Sequence, residues 1–238
     1  MKQHGAILIS GVGQRAGLHL AQRFRERGIP VIGTYRRERP ALDGLRALGV
    51  DLQRCDFYHE RELDVLIATV RQHYASLRAI IHNASDWLAE GGEIPHRDVM
   101  WRMLQVHVSA PYQINLALAD LLHACDAPHA DIVHLGDYVS ARGSRNHIAY
   151  AASKAAQDNL TLSFAARLAP KIKVNSIAPA LLLFNENDSE TYREQARRKN
   201  LLQREGGIDE LLRAVDYLLD SSYVTGRTLH MDGGRHVA

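Results

Sequence analysis

The sequence lacks the marks of several protein classes. Its 238 residues include only two cysteines, Cys55 and Cys125, without metal or redox spacing, so we expect two buried thiols. The 13 histidines form no H-E-x-x-H or Cys/His cluster, so no metal is predicted. No apolar run approaches the ~20 residues of a membrane span, and no secretory signal is evident. A net charge of +2 with scattered basic residues argues against nucleic acid as a partner. We therefore expect a cytoplasmic enzyme.

Short β-branched runs alternate with longer helical patterns along the chain. Strand candidates lie at 6–10, 30–35, 51–55, 79–83, 131–135, 173–178 and 228–231. Helical patterns lie at 17–27, 40–48, 60–74, 95–124, 150–168 and 208–219. This α/β alternation predicts one Rossmann-like, doubly wound parallel sheet of about seven strands with helices on both faces. We expect a single domain over 1–238, with a polar stretch at 185–207 as a candidate substrate lid.

A glycine-rich turn follows the first strand and opens the first helix. Its sequence is Ser10-Gly-Val-Gly-Gln-Arg-Ala-Gly17. Glycines let the backbone approach a pyrophosphate, which then rests on the positive end of the following helix. The motif predicts dinucleotide contacts at Ser10, Gly11, Gln14, Arg15 and Gly17. A plain strand-to-helix turn is the alternative.

The end of the second strand indicates which dinucleotide is bound. An acidic residue normally stands there and binds the ribose 2′-hydroxyl of NADH. This chain has Arg36 and Arg37 instead, and guanidinium groups suit a 2′-phosphate. The sequence therefore predicts NADPH as the cofactor. The alternative is a solvated surface cluster of charges that also includes Arg39.

Three residues are predicted to be catalytic. Tyr150 and Lys154 are four residues apart on a predicted helix, so their side chains share one face. A phenol titrates near ~10. A lysine beside it would favour the phenolate and make the pair a proton shuttle. The third, Asp137, lies thirteen residues before the tyrosine, and its role is implied by the family resemblance that these motifs carry.

Together these motifs resemble the short-chain dehydrogenase/reductase family, over nearly the whole chain. The segments Asn175-Ser-Ile-Ala-Pro179 and Val224-Thr-Gly-Arg…Met231-Asp-Gly-Gly234 extend the resemblance. It implies a homo-oligomer, most commonly a tetramer. It also implies further cofactor contacts: Asp56 beside the adenine, Asn83 and Ala84 on the adenosine side, Pro179 onward at the nicotinamide carboxamide, and Phe57 and Leu182 beside them.

Departures from the common family pattern indicate one branch. Ketone-reducing members carry a serine where this chain has Asp137, and the family's helical asparagine falls on His107. Asp137 and Arg15 resemble the pteridine reductase branch instead. That branch also has Asn-Ala-Ser followed by an aromatic residue that stacks on the pterin, here Ser85 and Trp87. Within the branch, the sequence is most similar to the bacterial dihydromonapterin reductases.

The resemblance suggests how a pterin would be held. Trp87 is expected to offer a flat apolar surface facing the nicotinamide, so that the pterin stacks between two rings. Arg15 would reach both the pyrophosphate and the polar edge of the pterin. Ser85 would bond its amino group. Three histidines are expected to be structural or supporting: His107, His134 and His147.

An aspartate suits imine reduction better than ketone reduction. A carboxylate repels the charge that builds on a ketone oxygen, but it favours protonation of a nitrogen. We therefore expect NADPH-dependent reduction of the N5=C6 bond of 7,8-dihydropterins, most of all 7,8-dihydromonapterin, with Arg15, Ser85, Trp87, Asp137 and Tyr150 at the substrate. Weak dihydrofolate reduction is implied by the resemblance. The alternatives are a carbonyl reductase of 3-oxoacyl type and a non-catalytic NADPH-binding regulatory module.

Overall fold

A computed structural model describes residue 3, residues 5–185 and residues 187–237. Within them, seven strands form one parallel sheet in the order β3-β2-β1-β4-β5-β6-β7. The strands are β1 (Ala6–Ile9), β2 (Val31–Tyr35), β3 (Asp51–Arg54), β4 (Leu77–His82), β5 (Ala130–Leu135), β6 (Ile172–Pro179) and β7 (Thr228–Met231). The predicted Rossmann-like, doubly wound sheet is confirmed. Glu186, inside the predicted lid, lies outside the described residues.

Helices cover both faces of the sheet. They are α1 (Arg15–Glu26), α2 (Ala41–Ala47), α3 (Glu60–His73), α4 (His96–Leu104), α5 (Ala110–His123), α6 (Ile148–Leu168), α7 (Glu190–Arg197) and α8 (Ile208–Asp220). Two apolar clusters fill the spaces between sheet and helices, one on each face. The β4 and β5 strands are buried almost throughout, as expected for strands covered on both sides. Cys55 and Cys125 are buried thiols, as predicted.

The predicted helix over 95–124 is interrupted in the structure. A π-helical turn, Gln105–Ser109, separates α4 from α5. Pro111 stands in the first turn of α5 and has no backbone N–H to donate to the preceding turn. This missing donor accounts for the local widening, and such turns recur at functional sites. The turn contains His107.

The helix α7 lies in the polar stretch for which no helix was predicted. Ser189 caps it by accepting a hydrogen bond from the backbone N–H of Tyr192 at 3.2 Å. Only Ala196 of this helix is buried. The sequence therefore carries almost no apolar periodicity there, which is why the helix was missed. Among the residues that the structure describes, no helix is both long and apolar enough to cross a membrane.

A buried ion cluster joins the amino ends of three central strands. Asp131 of β5 lies 2.5 Å from Arg78 Nη1 of β4 and 3.0 Å from Lys173 Nζ of β6. The two cations also donate to the last carbonyls of α8: Arg78 to Leu219 at 2.7 Å and Lys173 to Leu218 at 2.7 Å. The cluster therefore ties the strands to each other and to a helix end.

The loop after β4 caps the helix that carries Tyr150 and Lys154. Glu90 accepts hydrogen bonds from the backbone N–H groups of Ile148 and Ala149, both at 2.8 Å. These are unpaired donors of the first turn of α6, and a carboxylate also suits the positive helix end. Burial opposes ionisation of Glu90, but the two backbone hydrogen bonds outweigh it and lower its pKa.

We predict that Asp131→Asn lowers the free energy of unfolding by about 3 kcal/mol, because it leaves the buried Lys173 and the partly buried Arg78 without a counter-charge. Urea unfolding followed by circular dichroism measures the loss. Asp120→Asn is the matched control, since the Arg71–Asp120 pair is exposed, with 46% and 57% of the side-chain surfaces accessible. It should cost less than about 1 kcal/mol. Equal losses in the two variants would contradict the prediction.

We predict that Glu90→Ala destabilises the protein by about 1 kcal/mol at neutral pH, because two helix N–H groups lose their acceptor. The folded-state pKa of Glu90 is below the ordinary value of 4.5, so the stabilisation is complete above that pH. It fades as the pH falls through the lower folded-state pKa. Thermal unfolding from pH 7 to pH 3 should show the difference from wild type shrinking. Glu93→Ala, an exposed carboxylate in the same loop, should show no such difference.

Candidate active site

A cleft of about 800 Å³ runs along the carboxyl ends of the strands, where doubly wound sheets bind their ligands. It gathers residues from the loops after β1, β2, β3, β4, β5 and β6. Most of the predicted site residues line it: Gly11, Gln14, Arg15, Arg36, Arg37, Phe57, Asn83, Ala84, Ser85, Trp87, Asp137, Tyr150, Lys154, Pro179 and Leu182. Three other predicted residues are not among the described residues that line it: Ser10, Gly17 and Asp56.

Ser10 and Gly17 hold two loops together beneath the cleft. Ser10 is buried, and its hydroxyl accepts the backbone N–H groups of Asn83 at 3.0 Å and Ala84 at 2.9 Å. A Cβ on Gly17 would lie 2.3 Å from the Gly11 carbonyl oxygen and 2.4 Å from the Asn83 side-chain nitrogen. Only glycine fits there, so both residues shape the floor of the cleft rather than face it.

Asp56 lies beside a second, smaller cavity that adjoins the cleft. Arg36 and Tyr58 line the same cavity. The Asp56 carboxylate accepts the backbone N–H of Tyr58 at 3.1 Å, which supports the local turn after β3. The predicted contact of Asp56 with an adenine stays a prediction.

The helix α1 presents an open positive end to the cleft. Its first turn contains no acidic residue, and Gln14 makes no side-chain capping bond within the described part of the chain. Such an end binds anions.

Arg15 has a positive φ of 53°, which is uncommon for a residue other than glycine. Its guanidinium donates to Asn185 Oδ1 at 2.5 Å and to the Leu183 carbonyl at 3.1 Å. Arg15 thus links the glycine-rich loop to the segment after β6.

The basic residues after β2 differ in their surroundings. Arg36 donates to Asp86 at 2.9 Å, and its guanidinium lies 5.6 Å from the Tyr58 ring centroid. Arg37 is exposed and lines the cleft together with Arg39. Arg39 was absent from the predicted site, although it belongs to the same basic cluster. Arg37 and Arg39 are therefore the exposed cations of this cluster on the cleft, whereas Arg36 is paired with Asp86.

Asp137 and Tyr150 are hydrogen-bonded across the cleft wall. The Tyr150 hydroxyl donates to Asp137 Oδ2 at 2.8 Å, and the Val139 backbone N–H donates to Asp137 Oδ1 at 3.0 Å. Burial raises the pKa of Asp137, although these two donors and the positive charge of Lys154 oppose the rise. Burial therefore makes this carboxyl group a weaker acid than an exposed aspartate, so it holds a proton more readily.

The surroundings of Tyr150 oppose the predicted effect of Lys154, which stays a prediction. Burial, with the adjacent negative charge of Asp137, raises the pKa of Tyr150 far above its ordinary value. Lys154 donates instead to the Leu135 carbonyl at 2.7 Å and to Gln157 Oε1 at 3.3 Å. Burial lowers the pKa of Lys154 to about 8, despite Asp137. Tyr150 is therefore a phenol that donates a hydrogen bond, and desolvation outweighs the pull of the lysine.

Trp87 does not stand alone in the cleft. Its ring is 65% exposed and stacks on His147, with centroids 4.0 Å apart and planes within 5°. One face of the indole is thus already covered. His147 was expected to be structural, but it lines the cleft and extends the aromatic surface. The sequence signal that could have placed His147 in the cleft is its position three residues before Tyr150, at the start of α6.

Two other histidines are buried, as expected of supporting residues. His134 Nδ1 lies 2.8 Å from Thr161 Oγ1 in the core. His107 lies between Ser85 and Ser153, with Nε2 2.8 Å from the first hydroxyl and Nδ1 2.8 Å from the second. It therefore connects a cleft residue to the catalytic helix. In the described part of the chain, no group of three His, Cys, Asp or Glu side chains is arranged to hold a metal ion.

Known proteins resemble this chain over nearly its full length. The family model that matches residues 11–236 is described as enoyl-(acyl carrier protein) reductase. Dihydromonapterin reductase from Klebsiella pneumoniae subsp. pneumoniae is 50% identical over 234 residues, which cover 98% of both chains. Dihydromonapterin reductase from Escherichia coli O6:K15:H31 is 50% identical over 231 residues, which cover 97% of this chain and 96% of the relative.

The fold is also found among solved structures. FolM alternative dihydrofolate reductase 1 from Brucella canis, in its complex with NADP, has a TM-score of 0.87 and 23% sequence identity. The alignment covers 100% of this chain and 96% of that one. This likeness supports the fold, whereas the family follows from the sequence matches. On those matches, the chain belongs to the short-chain dehydrogenase/reductase family.

Proposed function

We propose that the protein uses NADPH to reduce the N5=C6 bond of 7,8-dihydropterins. The preferred substrate is 7,8-dihydromonapterin, and dihydrofolate is a weaker one. The observation that carries the proposal is the Asp137 carboxyl group, held 2.8 Å from the Tyr150 hydroxyl in the cleft. The names of relatives at 50% identity support the same substrate class.

The residues present fit NADPH. Gly11 has a positive φ of 74°, and a Cβ there would lie 2.9 Å from the Ala84 Cα, so the loop leaves backbone rather than side chains facing the cleft. The open end of α1 suits a pyrophosphate, and Arg37 and Arg39 suit a 2′-phosphate. When bound, NADPH supplies a hydride to C6 of the pterin.

Asp137 is the proposed proton donor to N5. Burial raises its pKa above the ordinary value, so the carboxyl group takes up a proton more readily than an exposed aspartate, and a carboxyl beside N5 also stabilises the protonated imine. Tyr150 remains a phenol, so its role is to orient Asp137 through the hydrogen bond between them. Lys154 holds the carbonyl of Leu135, at the end of the strand that leads to Asp137, and is proposed to orient the nicotinamide ribose.

The pterin ring is proposed to lie against the stacked pair of Trp87 and His147. Stacking adds about 1 kcal/mol beyond area burial and restricts the orientation of the ring. Ser85 lines the same cleft and is proposed to bond the amino group of the pterin. The segment 185–207 is proposed as the lid, because Arg15 bonds Asn185 at its first residue.

Ketone reduction fits this arrangement less well. A carbonyl reductase must direct a hydrogen-bond donor at the oxygen that gains negative charge. Here the hydroxyl hydrogen of Tyr150 is directed at Asp137 instead. A non-catalytic NADPH-binding module would not require the hydrogen-bonded pair of Asp137 and Tyr150 in the cleft. The homotetramer, the single 1–238 domain and the cytoplasmic location stay predictions.

We predict that Asp137→Ser lowers kcat for 7,8-dihydromonapterin by about 10²–10⁴-fold, because it removes the acid beside N5. It should also create measurable turnover of a simple ketone, since no carboxylate then repels the oxyanion. Oxidation of NADPH followed at 340 nm measures both reactions. Asp98→Asn, which affects an exposed carboxylate of α4, should retain wild-type rates. A wild-type enzyme that prefers ketones, or an unchanged kcat in Asp137→Ser, would refute the proposal.

We predict that Arg37→Ala lowers kcat/KM for NADPH by about 10–100-fold, which corresponds to the loss of a charge-assisted hydrogen bond of ~1.5–3 kcal/mol. The value for NADH should change less than about threefold, since NADH has no 2′-phosphate. Steady-state kinetics with both cofactors give the ratio. Arg61→Ala removes an exposed arginine of α3 and is the control. Parallel losses with both cofactors would show that Arg37 does not contact the phosphate.

A further inference from the structure

Four groups form a continuous chain of hydrogen bonds from the helix α6 to the cleft. Ser153 Oγ lies 2.7 Å from the Tyr150 carbonyl oxygen, and His107 Nδ1 lies 2.8 Å from Ser153 Oγ. His107 Nε2 then lies 2.8 Å from Ser85 Oγ. His107 and Ser153 are completely buried, whereas Ser85 is exposed and lines the cleft. The chain of hydrogen bonds therefore runs from a helix carbonyl to a surface that a ligand can touch.

The hydrogens in this chain of hydrogen bonds can be assigned by counting. A carbonyl oxygen has no hydrogen, so Ser153 must donate its own to Tyr150. The Ser153 hydroxyl then has no hydrogen left to donate to His107. The contact between them therefore requires His107 to donate from Nδ1 and Ser153 to accept. A neutral imidazole carries one hydrogen, so Nε2 has none and accepts from Ser85. Each of the three short contacts then contains one hydrogen.

The opposite assignment is unfavourable. If Ser153 donated to His107 Nδ1, two oxygens with no hydrogen between them would face each other at 2.7 Å, at Ser153 and Tyr150. A doubly protonated imidazole is also disfavoured, because burial and the charge of Lys154 lower the pKa of His107 well below its ordinary value. The Asp86 carbonyl, a rival acceptor for Ser85, is farther away at 3.3 Å, and the Tyr150 hydroxyl is a second rival acceptor.

We infer that His107 is a positioning residue that turns the hydroxyl hydrogen of Ser85 away from the cleft, so that Ser85 can only accept hydrogen bonds from a ligand. This inference rests on the proposed function for its substrate. The Ser85 oxygen then selects a pteridine that presents an N–H group, such as the 2-amino group of a pterin. It rejects a pteridine with a carbonyl oxygen in the same place, because two acceptors would meet.

The first test is independent of catalysis. Protein labelled with ¹⁵N-histidine is studied by long-range ¹H–¹⁵N NMR between pH 6 and pH 8, and the His107 signals are assigned by their loss in His107→Phe. We expect the neutral tautomer with hydrogen on Nδ1 throughout this range. A hydrogen on Nε2, or a positively charged ring, would overturn the inference whatever the protein's substrate proves to be.

The second test measures selectivity. We compare kcat/KM for 7,8-dihydropterin with that for 7,8-dihydrolumazine, which carries oxygen in place of the 2-amino group. Wild type should favour the amino compound, and the ratio should fall by about tenfold in His107→Phe and in Ser85→Ala. A general loss of folding changes both rates together and leaves the ratio unaffected.

Two further variants sharpen the selectivity test. The double variant His107→Phe/Ser85→Ala should show the ratio of either single variant, because both changes remove the same constraint. His123→Gln, at the exposed end of α5, should keep the wild-type ratio. A wild-type ratio retained in His107→Phe would overturn the inference. Failure of wild type to reduce either pteridine would instead count against the proposed function, with the NMR result still valid.

Discussion

The Tyr150 hydroxyl has one hydrogen, and it donates that hydrogen in a hydrogen bond to Asp137. This bond determines the chemical character of the site, because a phenol bonded to a carboxylate in a buried position keeps its proton. The same burial raises the pKa of Asp137, so acid character moves from the tyrosine to the aspartate. In this structure the hydroxyl group of Tyr150 is directed at a carboxyl group on the wall of the cleft.

Local pattern predicted the sheet well. The seven strands were found within two residues at either end, because buried parallel strands have continuous apolar runs bounded by glycine or polar turns. The loops that follow those strands bring most of the predicted site residues to one cleft. Fold topology supplies this convergence, since the carboxyl ends of parallel strands share one edge. Motif spacing was therefore enough to predict most, though not all, of the residues that line the cleft.

What sequence reasoning missed depends on tertiary contacts. The stacking of His147 on Trp87 joins residues 60 positions apart, and no local pattern signals it. The pairing of Arg36 with Asp86 likewise joins residues 50 positions apart in the chain. The direction of the Tyr150 pKa depends on how deeply the group is buried, which a motif does not state. The helix α7 was overlooked because its stability comes from a serine cap and charged surface rather than from an apolar face.

The ion cluster around Asp131 lies at the opposite edge of the sheet from the cleft. It joins β4, β5 and β6 at the ends away from the cleft, through contacts in which the cleft loops take no part. Because the ion cluster and the cleft lie at opposite ends of the strands, the sequence of the cleft loops can change without altering the cluster. One scaffold can then acquire new substrates by loop replacement while its architecture is inherited unchanged.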